Sequence, residues 1–584
     1  MNNKKKLIII KTLLKNNNLD GYLIPSFDEF QNEFSPNCLN RLKWLSGFTG
    51  SNGLILITLS KTYFLTDGRY ITQAKNQLIS DYSVHDIQTF HQTFFDCNII
   101  KLVIGYDPMI FTKRYILYFH QYCLLNEKKV EIKPIRHNIV DLIWKRKIEF
   151  STITPFSVDL KYTYESVAEK LQKVLKSFDT DYIFITSSEN ICWLLNTRGC
   201  DLEYTPLFLA YCLIKHNGDI EIFSNIKKIT NNYKKIKLFE FDQIQTRLRQ
   251  INKEQQTIQC DDFTTPYWLF QNFESGRIKV KKDPCFILKA VKNKVEIAGF
   301  RYAMLQDGIA LTKLFSWLQL QIILRNKVNE IDICIKLEEF KRNSKLYRGK
   351  SFETISAVGK NSSIIHYSPY HNNDNLYLSL DNWFLLDCGS QYEFGTTDVT
   401  RTFFFGTPKE EHKLSYTLVL KGFINLHTLK FPKGTNGSQI DVVARQFLWE
   451  HGLDYPHGTG HGVGHYLSVH EGPHAISKHN NQELLQNMVL TIEPGYYVPG
   501  KYGIRIENMV VVKESSLDNS FLEFENLTLS PISYNLIDTN MLTHNEKLWL
   551  ASYHQVLQKK LNPYLDENCR AYLMEHTFFY NELI

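Results

Sequence analysis

The chain of 584 residues and 68.5 kDa has room for three or four domains at roughly 150 residues each. It needs neither a disulfide nor a metal merely to bury a core. Hydrophobic residues at 43% and charged residues at 22% exclude global disorder. The 67 Lys and Arg against 61 Asp and Glu leave only +6, with no basic stripe interleaved with aromatics, so no nucleic-acid partner is expected. No run of eighteen apolar residues occurs, so neither a transmembrane helix nor a membrane partner is expected.

At the N-terminus, MNNKKKLIIIKTLLKNNN offers a basic start and an apolar stretch, but Lys11 interrupts it and no small-residue cleavage site follows. LLKNNN reads as the end of a short helix, and a secretory signal is not expected. The eleven cysteines, scattered from Cys38 to Cys569 with no CxxC, suit reduced thiols, so a cytoplasmic location is expected.

From Asp20 the chain reads strand (GYLIPS), helix (RLKWLSGFTGS), strand (GLILIT), strand (TYFLTDGRY). From Asp181 it reads strand (YIFITSS), helix (NICWLLNTRG), strand (FLAYCLIKH), strand (DIEIFSN). Apolar runs alternating with amphipathic helices indicate α/β layers. The echo is either a duplication or the ordinary likeness of any two α/β units. STITPFS, with Pro155, ends the helix pattern IVDLIWKRK and suggests a boundary near residue 150; a second lies near Lys281–Pro284. Beyond it, LKAVKNKVEIAGFRYAMLQDGIALTKLFSWLQLQ reads as two long helices, and residues 353–513 read as strand-rich. The amphipathic, basic LTHNEKLWLASYHQVLQKKL is expected to dock on a domain or partner chain rather than on a membrane surface.

The chemistry concentrates in the strand-rich part. WFLLD and VTRTFFF flank a Gly-containing turn region, and a symmetric hairpin centred between Tyr392 and Glu393 sets Asp387 opposite Asp398. Facing like charges are destabilising. Exposed carboxylates tolerate that, but Asp387 follows four apolar residues and precedes Cys388. Buried paired carboxylates need a shared proton or a cation. The pattern recurs in VLTIEPGYYVPGKYGIRIENMVVV, where Glu493 and Glu507 are symmetric about Gly500, with Pro494 and Pro499 leaving the register open. Between the pairs, YPHGTGHGVGHYLSVHEGPH places five histidines in eighteen residues around His457 and His461. The interleaved glycines allow close backbone approach and positive φ, and disfavour a helical HisxxxHis zinc site. Four carboxylates and one imidazole form a hard donor set suited to Mn²⁺ or similar ions, and their charge suits two ions rather than one.

The ordered set Asp387, Asp398, His461, Glu493 and Glu507 resembles the dinuclear site of the pita-bread metallopeptidases. IIHYSP around His366, TTDVTRT around Asp398, HGTGHGVG around His461 and VHEGP around His470 resemble the X-prolyl aminopeptidase branch. SGFTGSNG and TDGRY resemble that branch's N-terminal domain, and LTLSPI with LIDTNMLTHNEKLWLASYH resembles the C-terminal extension of its long cytosolic form. Residues 205–285 match least, and 240–280 are not placed. The resemblance implies two creatinase-like α/β N-terminal domains, 1–150 and 151–283, followed by a pita-bread catalytic domain with C-terminal extension, 284–584. It implies two divalent ions bridged by Asp398 and Glu507, with Asp387 completing one site and His461 and Glu493 the other. It further implies hydroxide attack on the carbonyl before proline in peptides with penultimate proline. Glu493 would be the general base, His366 and His470 catalytic and substrate-contacting, and His457 and Arg69 substrate-binding. Arg69 reads otherwise as a turn salt bridge. Tyr496 and Tyr497 are expected near the proline pocket, and a homodimer through the extension is expected. The competing readings are a prolidase-type dipeptidase, disfavoured by the second N-terminal domain, and a non-catalytic pita-bread binding protein, disfavoured by the presence of all five ligands.

Overall fold

Five-residue apolar runs such as Gly21–Pro25, Leu54–Thr58 and Thr62–Thr66 form strands buried along their whole length, as continuous hydrophobic runs do in sheets covered on both faces. The computed structural model describes residues 1–87, 101–124, 129–146, 151–227, 229–231, 233–371 and 374–578. They form two compact units: Met1–Val158 with Glu165–Phe286, and Asp159–Tyr164 with Ile287–Ile584. The boundary expected near residue 150 falls on 147–150, outside the described residues.

The first unit holds two six-stranded sheets. Across the first, the order is Tyr82–Asp86, Thr62–Thr66, Leu54–Thr58, Gly21–Pro25, Lys101–Tyr106, Lys129–Pro134. Across the second it is Ile236–Phe239, Ile220–Ser224, Ala210–Lys215, Tyr182–Ile185, Ile258–Cys260, Ile278–Val280. Every pairing has the same direction in both: two antiparallel neighbours on one side of the first strand, parallel pairs beyond. The echo in the sequence is thus a repeated topology. Residues 240–280 complete the second sheet through the helix Gln243–Lys253 and the last two strands. Of the expected helix IVDLIWKRK, the described residues 139–146 form no helix: Val140 O accepts from Ile143 and Trp144 in a turn, and the Trp144 ring stacks on Trp44 at 5.3 Å.

The two expected long helices are one short helix, Cys285–Ala290, at the boundary residue Phe286, and one of 30 residues, Lys294–Ile323, in the second unit. Asn293 makes the break. Its side chain accepts from the Val295 and Glu296 N–H groups while Glu296 reaches back to its N–H, a capping box. The long helix buries Phe300, Met304, Leu311, Leu314 and Leu318 with Phe384, Leu386, Val399 and Phe403 of the strands Asn382–Cys388 and Val399–Phe405. A six-stranded sheet orders Lys430–Pro432, Phe521–Asn526, Asn508–Glu514, Val489–Ile492, Gly460–Gly462 and Glu471–Ile476. The expected strand-rich region also contains two helices, Glu410–His427 and Gly437–Trp449, whose Leu418, Phe423, Ile440 and Leu448 enter the core with Leu490 and Val510. The helix His544–Leu561 docks into the same core through Leu550, Leu557 and Leu561. Among the described residues no helix is long and apolar enough to cross a membrane.

Two buried histidines each add a contribution to this unit's stability that acid removes. Burial depresses His427 to about 4, with Asn526 opposing, and depresses His554 to about 3. The neutral His554 ring bridges two backbone groups, with Nδ1 facing the Leu550 carbonyl at 2.8 Å and Nε2 accepting the Ile532 N–H at 3.2 Å. Unfolded, both rings titrate near about 6.5. Their contribution is therefore fully present above that pH and is lost as pH falls toward the depressed values. In chelator the cluster carboxylates titrate alike in wild type and His554→Gln, so in thermal melts the stability of wild type relative to the variant is expected to fall between pH 7 and 4.5 with a slope of about one proton. An unchanged slope in the variant contradicts the assignment.

Candidate metal centre

The carboxylates are placed by strand register. Asp387 pairs with Thr400 and Cys388 with Val399, and beyond them Gln391 pairs with Thr396 and Tyr392 with Gly395. The hairpin therefore turns at Glu393–Phe394, one residue later than symmetry about Asp387 and Asp398 requires. Asp398 lies two residues from Thr400, so the two aspartates are diagonal neighbours on one face rather than directly opposed. Buried Asp307 pins the turn region, accepting from Ser390 (2.7 Å), Tyr392 (2.8 Å) and Thr397 hydroxyls. The second pair follows the expected register. Ile492 pairs with Asn508 and Gly495 with Arg505, which sets Glu493 opposite Glu507 across Pro494.

His461 enters from the strand Gly460–Gly462. Its Nδ1 faces the Gly462 carbonyl at 3.0 Å, which assigns the proton there and leaves Nε2 facing Asp398 Oδ2 at 3.4 Å and Glu493 Oε1 at 3.7 Å. The flanking glycines serve close approach: an added Cβ at Gly460 would lie 1.9 Å from Thr491 O, and at Gly462 2.4 Å from Glu471 O. Positive φ, also expected of this run, does not occur at Gly458, Gly460, Gly462 or Gly464.

Three sets of potential ligand atoms each lie within 4.8 Å of one another: Asp387, Asp398 and Glu507; His461, Glu493 and Glu507; and Asp398, His461 and His470. The first two share Glu507. The buried Asp387 Oδ1 has no hydrogen-bond partner, an orphaned acceptor of the kind that a cation satisfies. The electrostatics agree. Burial, reinforced by Asp398 and Glu493 against Arg505, raises Asp387 to about 7. Burial and the other three carboxylates push Glu507 well above the usual range, and burial raises Glu493. Burial opposes the charged form of His461, but Asp398 and Glu493 outweigh it and hold the imidazolium up to about 9. Without metal, the cluster can thus be balanced by protons; hard divalent cations fit the same oxygen-rich donors.

A second layer, not found from sequence, fixes these groups. Arg505 Nη2 donates to Asp387 Oδ2 at 2.6 Å, Nε to Thr400 Oγ1 at 3.1 Å and Nη1 to Tyr497 Oη at 2.7 Å. Thr400 Oγ1 passes the chain on to Glu507 Oε2 at 2.7 Å. The available signal was period two: Arg505 and Thr400 each lie two residues from a ligand and share its strand face. Tyr497 Oη also meets His457 Nε2 at 3.0 Å, joining that histidine to the cluster. His470 packs edge-on to His461, ring centroids 4.4 Å apart. His366 follows Ile365, whose carbonyl lies 3.5 Å from Arg505 Nη2. Tyr496 packs against the second unit's core. Arg69 lies in the first unit, where Nε and Nη2 engage Asp67 at 2.9 and 2.8 Å.

Residues 298–514 match metallopeptidase family M24, and 520–578 match the C-terminal region of peptidase_M24. Residues 9–108 and 150–296 each match a creatinase/prolidase N-terminal domain. The chain is 37% identical over 606 residues to a probable Xaa-Pro aminopeptidase P of Coprinopsis cinerea, covering 97% of this chain and 96% of that one. It is 37% identical over 604 residues to another of Colletotrichum graminicola, covering 96% of each. The crystal structure of an X-prolyl aminopeptidase from Caenorhabditis elegans, described as a cytosolic enzyme with a di-nuclear active site, matches with TM-score 0.93 and 31% identity, covering 99% of this chain and 100% of that chain. Sheet, register and carboxylate cluster are thus those of a metallopeptidase, and the chain belongs to family M24. The relatives named here that share its whole length are Xaa-Pro aminopeptidases P.

Arg505 is the only cation side chain that ion-pairs Asp387 among the described residues. Removing one partner of a buried pair typically costs about 3–5 kcal/mol. Arg505→Gln is expected to lower the stability of the chelator-treated protein by that order, with divalent ions restoring part of it. Denaturant unfolding with and without metal measures both; equal stability to wild type in chelator contradicts the role.

Proposed function

We propose that this protein is an X-prolyl aminopeptidase that releases the N-terminal residue from peptides with proline in second position. The observation that carries the reading is the pair of ligand triads sharing Glu507 in a chain related over its full length to Xaa-Pro aminopeptidases P. Asp387, Asp398 and Glu507 would hold one divalent ion; His461 and Glu493, with Asp398 and Glu507 as bridges, would hold the other. The hard donor set favours Mn²⁺. When bound, such ions acidify water and polarise the scissile carbonyl.

The remaining work falls to side chains. Glu493, whose side chain is 20% exposed while that of Asp398 is 5% exposed, offers the more accessible proton acceptor for attacking water. His470 beside His461, and His366 beyond Ile365, supply imidazole N–H donors for the tetrahedral oxyanion and the departing proline nitrogen. His457, fixed by Tyr497, lines the proline side. The amide before proline lacks an N–H and has a fixed φ, so it needs a shaped pocket. Arg69 is assigned a substrate contact on the TDGRY resemblance.

The chain reads as N-terminal domains 1–150 and 151–283 and catalytic domain 284–584, supported by the repeated sheets. A homodimer rests on the resemblance of the extension to that of the long form. Cytoplasmic residence rests on described cysteines that form no disulfide with one another and on the cytosolic description of the nematode enzyme.

The test is residue release from Xaa-Pro-Yaa tripeptides, expected to stop on chelation and return with Mn²⁺ while circular dichroism changes little. Preference for Xaa-Pro dipeptides would move the reading to prolidase. His470→Ala is expected to lose on the order of 10²–10³ in kcat, as for one oxyanion donor, and to keep two ions. Glu493→Gln should lose more, with weakened occupancy beside His461. If it keeps more than about a tenth of wild-type turnover, short of the 10²–10⁴-fold of general acid–base catalysis, Glu493 is not the base.

A further inference from the structure

Directly after Thr400, Arg401 presents a guanidinium only 1% exposed. No carboxylate lies in ion-pair range of it among the described residues. Burying a cation without a counter-ion is costly unless every N–H is satisfied, and here all are. Nη1 donates to the carbonyls of Thr400 (2.8 Å) and Glu507 (2.6 Å). Nη2 shares its two N–H groups among Asn508 Oδ1, Ser530 O and Tyr553 Oη, each at 2.8 Å, and Nε donates to Pro531 O at 3.0 Å.

These six acceptors have two origins. Thr400, Glu507 and Asn508 belong to the strands that carry the ligand cluster; Ser530, Pro531 and Tyr553 belong to the C-terminal segment matched as the C-terminal region of peptidase_M24. Tyr553 also donates to Ser530 O at 2.7 Å, closing the arrangement. Glu507 is thus held at three points: its N–H by Thr400 O at 3.2 Å, its carbonyl by Arg401, and its carboxylate Oε2 by the Thr400 hydroxyl. We propose that the C-terminal extension is an outer part of the metal centre, with Tyr553 holding Arg401 and Arg401 acting as a positioning residue for the shared ligand Glu507. The proposal rests on the dinuclear reading above.

A purely structural staple is the competing explanation, and the molecule contains its own control. The same extension helix is also tied to the helix Glu410–His427 by the buried Lys421–Glu546 pair, with Nζ–Oε2 at 2.7 Å, which touches neither Arg401 nor the cluster. Full-length Arg401→Lys, Tyr553→Phe and Glu546→Gln separate the two. Mn²⁺ affinity is read by competition with a chelator, and the melting midpoint in excess chelator.

Arg401→Lys keeps the charge but not the fork, and should weaken Mn²⁺ binding by about 10–100-fold, as outer-shell changes do. Tyr553→Phe removes one acceptor and should weaken it by about threefold to tenfold, the worth of one hydrogen bond. Glu546→Gln should lower the melting midpoint while leaving Mn²⁺ affinity within twofold of wild type. If Arg401→Lys does not fold, Tyr553→Phe and Glu546→Gln decide. Affinity within twofold of wild type in Tyr553→Phe, or equal losses in Tyr553→Phe and Glu546→Gln, overturns the proposal alone. A wild-type protein that binds fewer than two ions overturns the dinuclear reading and this inference with it.

Discussion

Four carboxylates gathered in a low-dielectric interior set the terms for the rest of the second unit. Left uncompensated, Asp387, Asp398, Glu493 and Glu507 would each carry the solvation penalty of a buried charge while repelling the others. The strands that carry them, drawn from more than one sheet, nevertheless force them together, because they are anchored by apolar residues on either side. Cys388, Val399, Ile492 and Met509 are buried, and moving one carboxylate out would turn a whole strand face outward. The fold therefore demands positive charge at a fixed place. Arg505, protons on the acids and His461, and divalent ions are alternative ways of supplying it, which is why a structural necessity and a reactive centre coincide.

Each supporting feature answers that demand. Gly460 and Gly462 let a strand come within contact of its neighbours so that His461 can reach Asp398 and Glu493. Thr400 relays between Arg505 and Glu507. Arg401 fixes the backbone on which Glu507 stands and draws half of its acceptors from beyond the second glutamate hairpin. The first unit, by contrast, repeats one α/β topology twice with ordinary buried strands, and its Arg69 is held by Asp67.

Much of this was legible from the sequence because its signals are local. Apolar runs pointed to three strands in each of the two six-stranded sheets, and the symmetric spacing about Gly500 pointed to the Glu493–Glu507 pairing, whose register the two prolines left open. Where the reading failed, non-local contacts decide. The Asp387–Asp398 hairpin turns one residue late because Asp307, far away in sequence, ties down Ser390, Tyr392 and Thr397. The helices Glu410–His427 and Gly437–Trp449 were hidden because buried helices carry apolar residues on several sides, as in TLVLKGFINL, which also suits a strand. The capping side chain of Asn293 likewise divides what read as two long helices into unequal pieces. Arg505 and Arg401 escaped notice because an arginine in a strand is ordinarily a surface residue; only the tertiary structure shows what surrounds it.

The central claim is that two ions share Glu507 and Asp398, and electron paramagnetic resonance of the metal-free protein titrated with Mn²⁺ tests it directly. Ions held by shared carboxylates at about 3.5–4 Å interact magnetically. Binding should saturate at two Mn²⁺ per chain, with the isolated-ion signal giving way to that of a coupled pair as the second site fills. Saturation at one ion per chain, or two ions that keep uncoupled signals, would contradict a shared-ligand centre.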